Sequence, residues 1–351
     1  MSRLEPITPA SALWNNRQKI LQLRDRILSL LKAVDEPSHL SLHQWVQLLA
    51  FTLEFQPDLI LELGRHKGNS TCVFTEAANH LQSCRVVSLC RSPYWEETTQ
   101  HHIAQVVPPE WFQPLEAKQS DILTTDIKAL LEGSQRVVLF WDAHGYDIAE
   151  FVLGYVMPLL RSRQHIVIMH DISDMRYCSG QEDYNGQPLW RQGNDNGAGD
   201  HNVRLVLGNL NSAVEQVISI VDFTSRNKLP LHSADESFHT QLNGNQLHEL
   251  QQQLGDELFS KNGHWFWFSL NEKAEKETIY FPKFIPSNQP ESLAEPALEP
   301  QPPATQTELE HLRTQTEYLQ GVIRAMESSK FWKLRTAWFK LKRTMGLGKE
   351  D

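Results

Sequence analysis

Apolar runs typical of buried strands alternate along the chain with amphipathic stretches typical of helices. Residues 11–34 place apolar side chains at helical spacing, and residues 41–55 predict a second helix that ends before Pro57. Further helices are predicted at 70–80, 121–131 and 146–160. Because continuous apolar strands alternate with these helices, the pattern predicts a parallel α/β sheet covered on both faces. The predicted strands are 58–63, 85–90, 114–118, 136–142, 165–170, 215–223 and 264–270.

The composition divides the chain into four predicted regions. Residues 1–50 form a helical collar, 51–283 the α/β domain, 284–305 a proline-rich linker and 306–351 a helical tail with a short heptad-like pattern. Within the domain, residues 173–201 are polar and glycine-rich with interspersed aromatic side chains. This stretch predicts a lid or substrate loop, and a disordered insertion is the alternative.

Length, charge and cysteine usage exclude several classes of function. A chain of 351 residues can bury a large core, and its net charge of −10 does not favour nucleic-acid binding. The four cysteines contain no Cys-x-x-Cys pair, no signal peptide is recognised, and no apolar run approaches the ~20 residues that span a bilayer. We therefore expect a reduced, cytosolic protein without a cysteine-based zinc site.

One segment carries the strongest indication of ligand binding. A strand-like run ends at Glu62, Gly64 and Gly68 enclose a polar turn, and a predicted helix starts at Ser70. A strand, a glycine loop and a helix N-terminus together allow backbone amides to approach a ligand closely. The glycine spacing differs from that of dinucleotide-binding and phosphate-binding loops. A purely structural glycine turn is the alternative.

Polar side chains also follow the ends of two other predicted strands. Asp142 and His144 follow one apolar run, and His170 and Asp171 follow the next. In an open parallel sheet the carboxyl ends of the strands meet at the crevice where ligands bind. We therefore expect these residues to share one edge with Glu62 and to form a functional cleft.

The order of these blocks resembles that of the class I S-adenosylmethionine-dependent methyltransferases. It is most similar to the group that includes catechol and macrolide-sugar O-methyltransferases and cephalosporin-hydroxylase-like proteins. The resemblance covers residues 51–270 and rests on the Glu62–Ser70 block, on residues 140–146 and on residues 166–172. It implies a doubly wound, seven-stranded, Rossmann-like sheet with its last strand antiparallel, in which residues 264–270 lie beside residues 215–223.

The resemblance also implies roles for individual residues. S-adenosylmethionine would contact a cradle around the methionine part and an acid near the adenine, and Mg²⁺ in metal-dependent members is held by carboxylates. A histidine would act as general base. The implied cradle is Glu62, Gly64, Gly68, Asn69 and Ser70; the acid near the adenine is Asp121; the metal ligands are Asp142 and Asp171; the catalytic candidates are Asp142 and His144 or His170.

Two positions depart from the family pattern. Cys90 stands where members of the family normally have an acid that binds the cofactor ribose. Glu96 or Glu97 would have to take the place of that acid. Ile172 stands where metal-dependent members tend to place another oxygen ligand, which weighs against a role for Mg²⁺.

The tail differs in character from the rest of the chain. Within residues 328–348, apolar side chains recur at helical spacing among six basic residues. A basic amphipathic helix favours binding to an anionic membrane surface or to a protein partner, and folding back onto the domain is the alternative. Residues 326–335 are also similar to a tail of bacterial polysaccharide-assembly proteins. The apolar stripe is Phe331, Leu334, Trp338, Leu341 and Met345.

These features together predict an O-methyltransferase that acts on a sugar or glycan precursor, in the cytoplasm or at the inner face of the plasma membrane. The alternative is a weakened methyltransferase fold that serves as a binding or scaffolding module in polysaccharide assembly. A nicotinamide-dependent oxidoreductase is disfavoured by the glycine spacing.

Overall fold

The computed structural model describes residues 7–35, 40–170, 212–274 and 277–284. They lie within one compact unit, Met1–Asn288. The predicted lid, the linker from 285 onward and the tail lie outside the described residues. Asp171 and Ile172 lie outside them as well.

A mixed sheet of seven strands forms the centre of the unit, in the order β3-β2-β1-β4-β5-β7-β6. The first five strands are parallel, and β7 runs antiparallel to both β5 and β6. The predicted doubly wound sheet with an antiparallel last strand is therefore confirmed. The strands are β1 (Leu59–Leu63), β2 (Arg85–Cys90), β3 (Leu115–Gln119), β4 (Arg136–Trp141), β5 (Gln164–Met169), β6 (His232–Ser233) and β7 (Phe266–Phe268).

Helices cover both faces of this sheet. A π-helical turn, Trp95–Thr99, leads into α4, and another, Val152–Val156, joins α6 to α7. The 3₁₀ turns are Pro109–Phe112, Ile122–Thr124 and Leu270–Glu272. The α-helices are α1 (Pro9–Val34), α2 (Leu42–Phe55), α3 (Asn69–Leu81), α4 (Gln100–Ile103), α5 (Ile127–Leu130), α6 (Tyr146–Phe151), α7 (Met157–Leu160), α8 (Ser212–Arg226), α9 (Ala234–Thr240) and α10 (Gly244–Leu258).

The predicted strand at 215–223 is wrong, because these residues belong to helix α8. Gln216, Ile220, Phe223 and Asn227 are all buried, and their spacing of four, three and four residues is that of one helix face. The valine and isoleucine content of this stretch is equally typical of a strand. Strand β6 has only two residues, and β7 lies beside it and beside β5.

The predicted helix at 121–131 is also corrected by the structure. Two short turns replace it, a 3₁₀ turn capped by Asp121 and helix α5 capped by Asp126. Each carboxylate accepts a hydrogen bond from a backbone N–H at the start of its own turn. Two aspartates that cap separate turns divide the segment.

Alternate residues of each strand contribute to two separate cores. Along β1, Ile60 packs toward α1, α2, α3 and α10, whereas Leu59, Leu61 and Leu63 pack toward α5, α6, α7 and α8. Strand β4 repeats this division, with Phe140 on the first side and Trp141 on the second. Because side chains alternate along a strand, a sheet buried on both faces needs a continuous apolar run.

Helices α1 and α2, both predicted from the sequence, pack side by side on the first face. The apolar stripe of α1 is buried, including Leu13, Ile20 and Leu30. A capping box at Thr8 begins α1, and a second one at Ser41 begins α2. None of the helices within the described residues is both long and apolar enough to cross a membrane.

Candidate functional site

The glycine loop after β1 lies where the sheet changes its winding direction. Strand β1 has β2 on one side and β4 on the other, so the chain proceeds outward in both directions from this pair. Ligands of open α/β sheets bind in the crevice at such a point. The loop ends at Gly68, which immediately precedes the N-terminus of α3.

Both glycines of the loop have left-handed backbone conformations. Gly64 has a φ of +96°, and a Cβ there would lie 2.7 Å from the carbonyl oxygen of Asp142. Gly68 has a φ of +92°, and a Cβ there would overlap the indole ring of Trp95. The loop therefore requires glycine because of contacts within the protein itself, apart from any ligand.

Glu62 is fully buried beneath this loop. Its carboxylate accepts hydrogen bonds from the hydroxyls of Ser70 and Thr71, each at 2.5 Å, and from that of Ser88 on β2. Burial raises the pKa of Glu62, and the three hydroxyl donors partly oppose this shift. Glu62 thus ties together β1, β2 and the first turn of α3. The predicted contact between Glu62 and a ligand stays a prediction.

A buried arginine within the loop was not predicted from the sequence. Arg65 donates to the backbone oxygen of Ser88 at 2.8 Å and forms an ion pair with Glu96 at 2.8 Å. This pair fixes the π-helical turn of Trp95 against the loop. Of the two candidate replacements for the missing acid at Cys90, Glu96 is thereby engaged by Arg65 and Glu97 is exposed.

Helix α2 of the predicted collar contacts the start of α3, directly after the glycine loop. The indole N–H of Trp45 donates to the side-chain oxygen of Asn69 at 3.2 Å, and both residues are buried. Asp121 lies farther along the same edge, after β3, where it caps a 3₁₀ turn and pairs with Arg91.

Asp142 and His170 lie together at the ends of β4 and β5. The Nδ1 atom of His170 is 3.5 Å from Oδ1 of Asp142, and His170 is 6% exposed. The amide nitrogen of Gln44, in the first turn of α2, is 3.4 Å from Nε2 of His170. A row of three side chains therefore runs from the strand ends to the collar.

His144 follows Asp142 in the turn between β4 and α6. Its Nδ1 atom lies 2.8 Å from the side-chain oxygen of Gln216, which projects from α8 and is 1% exposed. The indole of Trp141 donates to the carbonyl oxygen of Ala143 at 2.8 Å and stabilises the same turn. The sequence had not indicated Gln44, because an isolated glutamine in a helix usually faces water. It had not indicated Gln216 because residues 215–223 were predicted to form a strand.

Of the two predicted metal ligands, only Asp142 lies among the residues that the structure describes. Asp142 supplies a carboxylate of the kind that Mg²⁺ prefers. Its predicted partner, Asp171, lies outside the described residues. Within the part of the chain that the structure describes, no three His, Cys, Asp or Glu residues are grouped so that they could hold a metal ion.

Comparisons with other proteins give likenesses of structure only. No family model and no curated protein matches the chain. Among solved structures, the O-methyltransferase TomG from Streptomyces achromogenes, in complex with SAM, is 16% identical over 66% of this chain and 91% of its own, with a TM-score of 0.36. The SAH-bound Podospora anserina methyltransferase PaMTH1 is 12% identical over 66% and 94%, with a TM-score of 0.38.

A third solved structure gives similar values. The cofactor-bound protein Rv0187 from MTB is 16% identical over 65% of this chain and 90% of its own, with a TM-score of 0.38. At these identities and TM-scores, the likenesses do not assign the chain to a family.

Proposed function

We propose that the protein is an S-adenosylmethionine-dependent O-methyltransferase. The observation that carries this proposal is the left-handed glycine loop between β1 and α3, placed at the switch point of a sheet whose β7 is antiparallel. The residues around the loop suit the cofactor, because the N-terminus of α3 offers backbone donors to a carboxylate. Asn69 and Ser70 stand at that same helix start.

The bound cofactor would supply an electrophilic methyl group, and the protein would orient the acceptor and remove its proton. Asp142, His144 and His170 occupy the β4 and β5 ends, beside the cofactor loop. A histidine at this edge would accept the hydroxyl proton as the oxygen attacks. Correct alignment of the reacting atoms provides a further large share of the rate enhancement.

Calorimetric titration of the full chain with S-adenosylhomocysteine tests this proposal. We expect one binding site per chain and no binding of NADH at the same concentrations. Binding of NADH without S-adenosylhomocysteine would instead support the oxidoreductase alternative and overturn the methyltransferase proposal.

A second candidate is a methyltransferase fold that binds and organises partners without catalysis. The observation in its favour is the end of β2, where Cys90 stands in place of the acid that the resemblance implies, Glu96 is paired with Arg65 and Glu97 is exposed. The two candidates separate in the same titration. Failure to bind either cofactor, in a chain that unfolds cooperatively on heating, would favour the scaffolding role.

We further propose that the acceptor is a hydroxyl of a sugar or glycan precursor and that residues 328–348 bring the domain to an anionic surface or an acidic partner. Support comes from the composition of the tail and from its similarity to polysaccharide-assembly proteins. Transfer of label from methyl-labelled S-adenosylmethionine to glycan precursors tests the acceptor class. Label found only in small aromatic hydroxyl compounds would contradict it.

A further inference from the structure

Two buried glutamines contact the two histidines of the crevice, and in each case the neighbouring groups fix the orientation of the amide. Gln216 lies between Nδ1 of His144, at 2.8 Å, and the carbonyl oxygen of Trp141, at 3.4 Å. A carbonyl oxygen can only accept, so the amide nitrogen of Gln216 faces Trp141. The amide oxygen therefore faces His144, and Nδ1 of His144 is the donor.

The orientation of Gln44 follows from the same reasoning. The backbone N–H of Ser41 donates to the side-chain oxygen of Gln44 at 2.7 Å, because the two residues form the capping box of α2. The amide nitrogen donates to the carbonyl oxygen of Gly263 at 2.7 Å. This nitrogen also faces Nε2 of His170, at 3.4 Å, so Nε2 of His170 is the acceptor.

The two glutamines therefore contact the two histidine rings at different nitrogens, Nδ1 in His144 and Nε2 in His170. In His144, the protonated nitrogen points toward α8, and the basic nitrogen is Nε2. In His170, the basic nitrogen faces the collar, and the protonated Nδ1 lies 3.5 Å from Oδ1 of Asp142, a separation longer than that of a hydrogen bond between these atoms. Which nitrogen carries the proton is set by the hydrogen bond that the other nitrogen makes.

We propose that Gln216 and Gln44 assign separate roles to these histidines: Gln216 makes His144 the general base, and Gln44 makes His170 a positioning residue for Asp142. This inference rests on the proposed methyltransferase function. As the hydroxyl oxygen bonds to the methyl carbon, its O–H bond breaks and the proton passes to Nε2 of His144. The bond from the methyl carbon to sulfur breaks with its electron pair, so that S-adenosylhomocysteine leaves as a neutral thioether.

Nitrogen-15 NMR of the full chain tests the role of Gln216, because ring nitrogens with and without a proton have well-separated signals. The protein would be labelled at its 15 histidines, and a His144→Gln variant would identify the signals of His144. At alkaline pH we expect the proton of His144 on Nδ1. Gln216→Glu retains the acceptor and should retain this state, whereas Gln216→Leu should lose it.

Thr224→Val is the matched control for these variants. Thr224 is buried on the same helix, and its hydroxyl donates to the backbone oxygen of Ile220 at 2.8 Å. This variant should leave the His144 signals in place. A proton on Nε2 of His144 in the unsubstituted protein, or an unchanged state in folded Gln216→Leu, would overturn the assignment.

A second NMR experiment tests the role of Gln44 and uses Gln47, a buried glutamine one turn later on α2, as the control. Gln47 donates to the carbonyl oxygen of Ser260 at 2.8 Å and accepts from Trp265 at 3.1 Å. Gln44→Glu presents an acceptor to His170 and should move its proton to Nε2. Gln47→Glu should leave His170 unchanged, and the same proton position in Gln44→Glu as in the unsubstituted chain would refute the role of Gln44.

Binding and kinetics separate this inference from the proposed function. Gln216→Leu should bind S-adenosylhomocysteine within about twofold of the unsubstituted chain. With a hydroxyl acceptor found by label transfer, kcat should fall at least tenfold and KM should change little. An unchanged kcat defeats the inference alone, whereas failure of the unsubstituted chain to bind S-adenosylhomocysteine defeats the proposed function and leaves the NMR result standing.

Discussion

The indole N–H of Trp45 donates to the side-chain oxygen of Asn69 across 3.2 Å, which connects the collar to the first residue of α3. The side-chain nitrogen of Gln44, the adjacent residue on α2, lies 3.4 Å from Nε2 of His170, which follows β5. One turn of α2 therefore contacts both the start of α3 and the residue that follows β5. The collar therefore belongs to the candidate site, and its removal would break contacts to Asn69 and His170 as well as expose apolar surface.

We expect Trp45→Phe to weaken binding of S-adenosylhomocysteine about fivefold to tenfold, because one hydrogen bond contributes about 1 kcal/mol. Calorimetry measures this change. Trp111→Phe is the matched control, since its buried indole donates at 2.7 Å to Glu76, two turns beyond Asn69 on α3. Equal affinities for the two variants would show that the Trp45 contact does not influence the cofactor.

Gly68→Ala should lower the affinity for S-adenosylhomocysteine by at least tenfold. The new Cβ would overlap Trp95 and would also occupy a left-handed backbone position. The strain itself costs about 1–2 kcal/mol. Gly133→Ala is the control for strain, because Gly133 has a φ of +78° and a Cβ added there would meet nothing within 4 Å.

Calorimetry and thermal unfolding distinguish the two contributions. Both glycine variants should lose stability, but only Gly68→Ala should lose affinity. Gly64→Val is a poorer test, because its side chain would meet the backbone of Asp142 and disrupt the sheet. A Gly68→Ala protein that binds as tightly as Gly133→Ala would place the cofactor elsewhere.

Stability should fall on acidification because of His165 at the start of β5. Its ring accepts from the backbone N–H of Leu270 at 3.0 Å, and burial lowers its pKa to about 4. The unfolded chain binds a proton at higher pH than the folded chain, so this contribution is complete above pH ~6.5 and is lost as the pH falls toward 4. The loss amounts to about 3 kcal/mol.

Urea unfolding at a series of pH values measures this contribution. His165→Gln should remove about 3 kcal/mol of the loss between pH ~6.5 and 4, although it lowers stability at neutral pH. His248→Gln, at an exposed histidine on α10, should leave the acid dependence in place. If the free energy of unfolding depends on pH in the same way in the unsubstituted and His165→Gln proteins, the prediction is contradicted.

The full chain should sediment with anionic vesicles, and a chain that ends at Thr305 should not. We expect this because residues 328–348 combine an apolar stripe with six basic side chains. Each cation near an anionic leaflet contributes about 1 kcal/mol, and added salt should weaken the attachment. Equal sedimentation of both chains, or of neither, would remove the membrane role and leave a protein partner or fold-back.

The sequence predicted strands best where the continuous apolar run is long. Strands β1, β2, β4 and β5 are buried from both faces, and their runs of Val, Ile and Leu are typical of a buried strand. The same residues misled the prediction at Ile220, because a short apolar run does not distinguish a strand from a buried helix. Strand β6 could not be predicted from two residues that pair only when β7 is in place.

The candidate site was predictable only where the residues belong to a local pattern. Gly64, Asp142, His144 and His170 follow strand ends and could be named from the sequence. Gln44 and Gln216 are 126 and 72 residues away from the histidines that they contact, so only the folded chain brings them together. Glu62 was recognised by position, but its three hydroxyl donors come from β2 and α3.

The close approach of Gly64 to the carbonyl oxygen of Asp142 also limits where the shape of the crevice can change. A Cβ at Gly64 would lie 2.7 Å from that oxygen, so the floor of the crevice cannot be reshaped by substitution at this point. Substitutions that change the shape of the crevice must instead fall on its walls, such as the first turn of α2 and the turn after β4. The contact thus holds the carboxyl ends of β1 and β4 at a fixed spacing, and any difference in ligand preference would arise from the residues around them.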